Sequence, residues 1–443
     1  MGILSDTIRN RLDLKRRWGV EAPNRLRSPF ALGRRSRYAV ALFAGQLVFA
    51  LLLFAASVLA ARLLGPTGKG EYTAWTLATM VVALALAGSI PVGLGRAYLG
   101  SAGLALVRTA LRHGALALGV TAVAIVPAIL LGVDEVALGF CILVAVPATV
   151  ATNDLLVVMQ AAKRAWSQQA IRIAMAAVVA VGMTGLLIAP ADDRLDIAFG
   201  VWAAAAVASA LTAALVARRH LAARHEAQTL EADTLRAAAR RGEGSYLARL
   251  IDFLLLRVDQ FIVVAITGPF GLGLYSVAVN MSEISWYVGA AIGQAVFEDR
   301  RTLGNEAARR ILHRAGWILA FTTVVVTIAG FFLISPIFGG RFEEARWALL
   351  LLAPGLVAKG LAYTGGQLLM ARGTGWVLSR IMLRILVAGL AMWGGLTYLF
   401  GIEGAAAAST AVYALQMIFT LRAVFREDMA QPRFAVGTSE PRP

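Results

Sequence analysis

The ionisable side chains inside long apolar stretches include Asp154, Arg172, Arg249, Asp252, Arg257, Asp259, Glu283, Lys359, Arg380 and Arg384. A charge in hydrocarbon is costly, so such residues are expected to face a cavity or to pair with one another. Carboxylates in that setting can take up H+ or Na+. Arginine keeps its charge and offers a planar fork to an oxyanion. The densest group lies between 249 and 259. Three-and-four spacing there puts Arg249, Asp252 and Asp259 near one helical stripe and lets Arg249 pair with Asp252, while Arg257 lies off it. Two prolines, Pro147 and Pro354, mark comparable points where a helix backbone loosens. Thr152 and Lys359 follow them by five residues, and Asp154 by seven. Arg380 and Arg384 are i, i+4 neighbours. Plainer readings stand beside these. Arg172 and Arg249 could snorkel to an interface. Asp259 could pair with Arg257 or tie helices together, and Asn280 could be interhelical glue.

These side chains must be carried by membrane helices. The chain has 443 residues, a formal net charge of +16, 59% hydrophobic residues and only 15% charged ones. Its mean hydropathy is +0.71. A soluble domain carries about 25% charged residues, so a soluble enzyme is excluded, as is a disordered chain. Stretches of about 20 apolar residues span a bilayer. Twelve are present, at roughly 39–62, 72–95, 114–132, 136–162, 166–189, 195–217, 246–267, 271–296, 315–337, 346–371, 375–400 and 403–425. Outside them or at their ends, one set of alternate loops and both termini hold thirty-one Lys and Arg. The other set holds five: Arg62, Lys69, Arg194, Arg341 and Arg346. The bias places both termini in the cytoplasm. The basicity therefore reports topology and lipid contact, not nucleic acid. The outer loops are short, which disfavours a membrane-bound glycan polymerase or ligase. Cys141 is the single cysteine, so no internal disulfide and no cysteine metal site is expected. No cofactor is expected beyond a coupling H+ or Na+.

The spans divide into two sets of six. Gly65-Pro66-Thr67-Gly68-Lys69-Gly70-Glu71-Tyr72 recurs as Gly268-Pro269-Phe270-Gly271-Leu272-Gly273-Leu274-Tyr275, with five identities at one offset. Each copy joins the first and second helices of a half. Trp166 echoes Trp376, and Gly200 echoes Gly404. Six is even, so both halves enter the membrane the same way. The expected fold class is an all-α polytopic membrane protein. Its twelve transmembrane helices form two six-helix lobes related by a pseudo-two-fold axis along the membrane normal, with a substrate site between the lobes. The boundaries are a basic amphipathic N-terminus (1–38), an N-lobe (39–217), a cytoplasmic linker (218–245), a C-lobe (246–425) and a cytoplasmic tail (426–443). The first Gly-Pro copy imitates a phosphate loop. Lys69 is followed by Gly70 where Ser or Thr is needed, however, and a tight helix–helix turn explains it better.

Leu64-Gly65-Pro66-x-Gly68-x-Gly70-x-Tyr72 resembles the first outer turn of the polysaccharide (Wzx-type) flippases of the multidrug/oligosaccharidyl-lipid/polysaccharide exporter superfamily. Arg257-Val258-Asp259-Gln260, Thr267-Gly268-Pro269 and Gly273-Leu274-Tyr275-Ser276-Val277-Ala278 resemble that family's seventh helix and the turn after it. The resemblance implies a non-enzymatic flippase in a bacterial inner membrane. It would move a polyprenyl-diphosphate-linked oligosaccharide across by alternating access, coupled to a cation. Partners would be membrane lipid and glycosyltransferases or a polymerase of the same pathway. Under it, Lys359, Arg384 and Arg380 are the candidates for the anionic head group. Asp252 and Asp259 are candidates for the coupling cation, with Glu283 in reserve. Asp154, Asn280 and Arg257 are further cavity candidates. A multidrug/cation antiporter of the same superfamily, and a non-transporting component of a glycan-synthesis complex, remain the alternatives.

Overall fold

The computed structural model describes residues 34–88, 103–130, 136–161, 164–221, 232–298, 304–372 and 374–426. Among them are nine α-helices: α1 (Arg34–Leu86), α2 (Gly103–Leu130), α3 (Val136–Ala161), α4 (Ala165–Thr184), α5 (Arg194–Leu221), α6 (Ala232–Glu298), α7 (Asn305–Phe338), α8 (Ala345–Ala371) and α9 (Gly375–Phe425). The longest three are each broken once, at Gly65 (φ 69°), Gly268 (φ 72°) and Gly401 (φ 60°). Only glycine adopts such a positive φ together with an extended ψ without strain, so each glycine breaks its helix. At the first two breaks proline follows directly, as Pro66 and Pro269. Proline has no N–H to lose at the first position of a new helix. The repeated Gly-Pro pair is thus a helix stop joined to a helix start. Nine helices with three breaks make the twelve segments expected from the apolar stretches.

Among the described residues, eight helices are long and apolar enough to cross a membrane, so the protein is a multi-pass membrane protein. Their ends depart from the apolar windows. The second segment was expected to reach 95 but its helix stops at Leu86. The third begins at Gly103, not 114, and the ninth at Asn305, not 315. Arg108, Arg112, Arg309, Arg310 and Arg314 therefore stand on helices, exposed, and not in loops. A helix of 34 residues such as α7 is roughly 51 Å long, well beyond the ~30 Å of hydrocarbon. Its polar end escapes a hydropathy window while remaining helical. The expected linker 218–245 is shortened for the same reason, since α5 runs to Leu221 and α6 starts at Ala232. The basic N-terminal segment before 34 and the tail after 426 lie outside the described residues.

The described side chains belong to one compact unit, Ala39–Pro443. In the N-lobe, Ala56, Ala60, Leu138, Met183, Phe199 and Trp202 pack together. In the C-lobe, α8 is enclosed by α6, α7 and α9, with Leu255, Leu368, Met382, Trp393 and Val412 among the buried contacts. The lobes meet where the two Gly-Pro turns cross, here termed the turn end. A Cβ on Gly70 would lie 1.8 Å from the Pro269 carbonyl oxygen, and one on Gly273 would lie 1.9 Å from that of Pro66. The contact is reciprocal, as a pseudo-two-fold axis between the lobes requires. Arg62 seals its rim by donating to the carbonyls of Pro336 and Ile337, both at 2.6 Å. At the opposite end, the Tyr246 hydroxyl of the C-lobe contacts the carbonyls of Leu84 and Ala85 in the N-lobe, at 2.9 and 2.8 Å.

Candidate substrate cavity

A cavity of about 610 Å³ lies between these two contacts and is lined by both lobes. Its charged residues are Lys69, Arg172, Arg249, Arg257, Asp252 and Glu283. Gln46, Ser57, Thr152, Asn153, Gln260, Asn280 and Gln367 add neutral polar groups, and Phe49, Tyr72, Trp202, Trp286, Tyr287 and Tyr363 add aromatic faces. Helix geometry explains the selection. Arg249, Asp252, Phe253, Leu256 and Gln260 of α6 recur at three-and-four spacing and so line one wall. Asn280 donates to the Ser57 hydroxyl at 2.7 Å, joining the lobes across the cavity.

Both cavity carboxylates are paired with a basic side chain. Asp252 accepts from Lys359 Nζ at 2.7 Å and from Gln416 Nε2 at 2.9 Å, and Lys359 also donates to Gln416 Oε1 at 3.0 Å. The expected Arg249–Asp252 pair is therefore replaced by a pair across α6 and α8. Glu283 is in an ion pair with Arg257 at 2.5 Å. Each cavity carboxylate thus has a basic side chain as its partner. Arg172 donates to Gln46 Oε1 at 2.9 Å. Arg249 is exposed into the cavity and takes part in no ion pair found among the described residues.

Several expected cavity residues lie elsewhere. Lys359 is fully buried inside the C-lobe, stacked near the rings of Trp286 and Tyr413, and does not line the cavity. Arg380 and Arg384 are exposed on the outer face of α9, together with Trp376, Leu383 and Val387. Leu378, Met382, Ile385 and Gly389 take the inward face, and two residues on from Leu378 or Met382 a side chain points away. Asp259 is buried off the cavity. It accepts from the Tyr275 hydroxyl (2.7 Å), the Ser409 hydroxyl (2.8 Å) and the Gln260 amide (2.8 Å), while Trp393 Nε1 donates to Ser409 (2.9 Å). A carboxylate so satisfied ties α6 to α9. Asp154 also points away, toward His113 of α2 at 2.7 Å. Its neighbours Thr152 and Asn153 reach the cavity instead.

Of the expected candidates, Asp252, Glu283, Asn280 and Arg257 line the cavity. Lys69, which the sequence places in an outer turn, also lines the cavity, as do Arg172 and Arg249, for which snorkelling was the alternative. Lys69 stands in the first turn of the second limb of α1, three residues after Pro66, and is 4% exposed. Its proximity to the Pro66 helix start was the available signal.

No family model matches the sequence, and no curated protein does. Solved structures do match. A Vibrio cholerae MATE transporter, VcmN, in a bent form is 16% identical with a TM-score of 0.60, over 89% of this chain and 98% of that one. An inward-facing multidrug resistance MATE transporter of the MOP superfamily is 13% identical with a TM-score of 0.62, over 87% and 97%. An outward-facing structure of such a transporter is 13% identical with a TM-score of 0.59, over 88% and 94%. The chain has the two-lobe, twelve-helix fold that MATE transporters of the MOP superfamily share.

Proposed function

We propose that this protein is an alternating-access flippase that moves a polyprenyl-diphosphate-linked oligosaccharide across a bacterial cytoplasmic membrane. The observation that carries this reading is the charge of the cavity. Lys69, Arg172 and Arg249 line the cavity outside its ion pairs, and its two carboxylates are Asp252 and Glu283. Both carboxylates are already neutralised, by Lys359 and Arg257. The net field therefore favours an anion. Arg172 and Arg249 come from opposite lobes, so an anion bridging them would feel the lobes move. The aromatic faces and amides suit sugar rings and hydroxyls. A volume of about 610 Å³ is within the ~300–1,000 Å³ of small-ligand sites. That accommodates a diphosphate and the first sugars, with the prenyl chain left in the bilayer. A carrier of lipophilic cations, the competing reading, would need unpaired carboxylates, and the cavity presents none among its described residues.

Flipping of a short-chain prenyl-diphosphate disaccharide in proteoliposomes tests this. A charge-assisted hydrogen bond contributes about 1.5–3 kcal/mol, and 1.4 kcal/mol is about tenfold. Arg172→Ala/Arg249→Ala should slow flipping at least tenfold while insertion stays normal. Unchanged flipping would remove these arginines from the mechanism.

A further inference from the structure

One titratable cluster stands apart from the cavity. His113 Nδ1 lies 2.7 Å from Asp154 Oδ2, with the two side chains 15% and 3% exposed. It differs in kind from the other buried acidic groups. Asp252 and Glu283 each face a basic side chain, and Asp259 is held by neutral donors on both oxygens. The pair of His113 and Asp154 instead joins a buried carboxylate to an imidazole, the side-chain class that takes up a proton near neutral pH. One proton taken up by the ring changes the pair from a net charge of −1 to zero, and both states remain hydrogen-bonded.

The surroundings connect this pair to the contact between the lobes. The imidazole lies against Gly88, where a Cβ would come within 2.3 Å of His113 Cε1. Three and four residues earlier on the same segment, the Ala85 and Leu84 carbonyls receive Tyr246 from the other lobe. The groups that face the pair across the lobe boundary are Tyr246 and Arg249, whose charge acts on Asp154. Next to Asp154 in the chain, Leu155 and Val158 of α3 pack with Ala110, Ile171, Ala213 and Ala217 of α2, α4 and α5 in an apolar cluster. Arg108 and Arg112 of α2 are exposed and turned outward.

We propose that His113 and Asp154 form a proton-binding site in the N-lobe, separate from the substrate cavity, whose occupancy controls the Tyr246 contact between the lobes. In the proton-free pair, the negative charge attracts Arg249 and holds the lobes together at the Tyr246 end. Proton uptake cancels that charge and frees this end to open. The inference rests on the alternating-access part of the proposed function and not on the identity of the substrate.

Electron spin distance measurement on the full chain in lipid nanodiscs tests it. Spin labels at Arg219→Cys and Arg309→Cys, in a Cys141→Ser background, report the separation of the lobes at the Tyr246 end. Both positions are exposed there. The distance should lengthen between about pH 8 and about pH 5.5, either side of the ordinary imidazole value. Asp154→Asn should show the long distance at both pH values, and so should Tyr246→Phe, which leaves the pair intact. A parent protein insensitive to pH over this range overturns the proposal, as does an Asp154→Asn protein with the parent's full response. A second measurement does not depend on how the Asp154 variant folds. Replacing His220, His225 and His313 with Gln leaves His113 as the lone imidazole. Its nitrogen NMR signal should titrate with the midpoint of the distance change, and a signal that stays constant overturns the proposal. Neither measurement contains the glycan, so failure here leaves the substrate reading standing, and failure to flip the glycan leaves this site standing.

Discussion

Lys359 and Asp252 illustrate what a charge needs in order to stay inside a lobe. Lys359 is fully buried, with Asp252, Gln416 and two aromatic faces around its ammonium. Burying an ion costs several kcal/mol, and removing one partner of a buried pair costs about 3–5 kcal/mol because the other charge is left alone. Lys359→Met should therefore lower the thermal unfolding midpoint sharply. Lys359→Met/Asp252→Asn should recover most of the loss. Melting the purified single and double variants side by side checks this. A double variant no more stable than the single would show that Lys359 acts through packing and not through its pair. The contrast with Arg249 is chemical. Guanidinium is more weakly hydrated than ammonium and always charged, so an arginine facing the cavity is a ready anion contact without a paired carboxylate.

At the scale of the helices, the two Gly-Pro turns do more than reverse the chain. Gly70 and Gly273 allow backbone to touch backbone between the lobes, with 1.8–1.9 Å where a Cβ would be. Gly70→Val or Gly273→Val should separate the lobes at the turn end. In a Cys141→Ser protein, a cysteine at Ser57, which faces the cavity, should then react faster with a thiol reagent supplied from the turn side. Unchanged reactivity would mean that the crossing is not a gate. These elements were legible in the sequence because Gly-Pro repeats at one offset and because hydrophobic length has a fixed physical scale. The helix ends were less so, since a polar end such as that of α7 is helical without being apolar. The site was only partly legible. Spacing identifies a stripe on one helix, as with Arg249 and Asp252, but not which helix faces it. Lys359, arriving from α8, took the aspartate. Arg380 and Arg384 share a stripe too, and that stripe faces outward because Leu378 and Met382 claim the inside.

At the scale of the whole molecule, we propose from the Lys/Arg bias that the turn end faces outside. A cysteine at Thr67 should label in intact cells with an impermeant reagent, and one at Ala238 should not. A labelled Ala238 position would reverse the orientation. The central claim, that the cavity between the lobes takes an anionic diphosphate lipid and not a lipophilic cation, is tested most directly by equilibrium binding. Purified protein in nanodiscs would be titrated with a short-chain prenyl-diphosphate sugar and, separately, with tetraphenylphosphonium. The account predicts saturable binding of the diphosphate, weakened at least tenfold by Arg172→Ala/Arg249→Ala and by added salt, with no saturable binding of the cation. Saturable binding of tetraphenylphosphonium that the diphosphate does not displace, with no binding of the diphosphate itself, would contradict it.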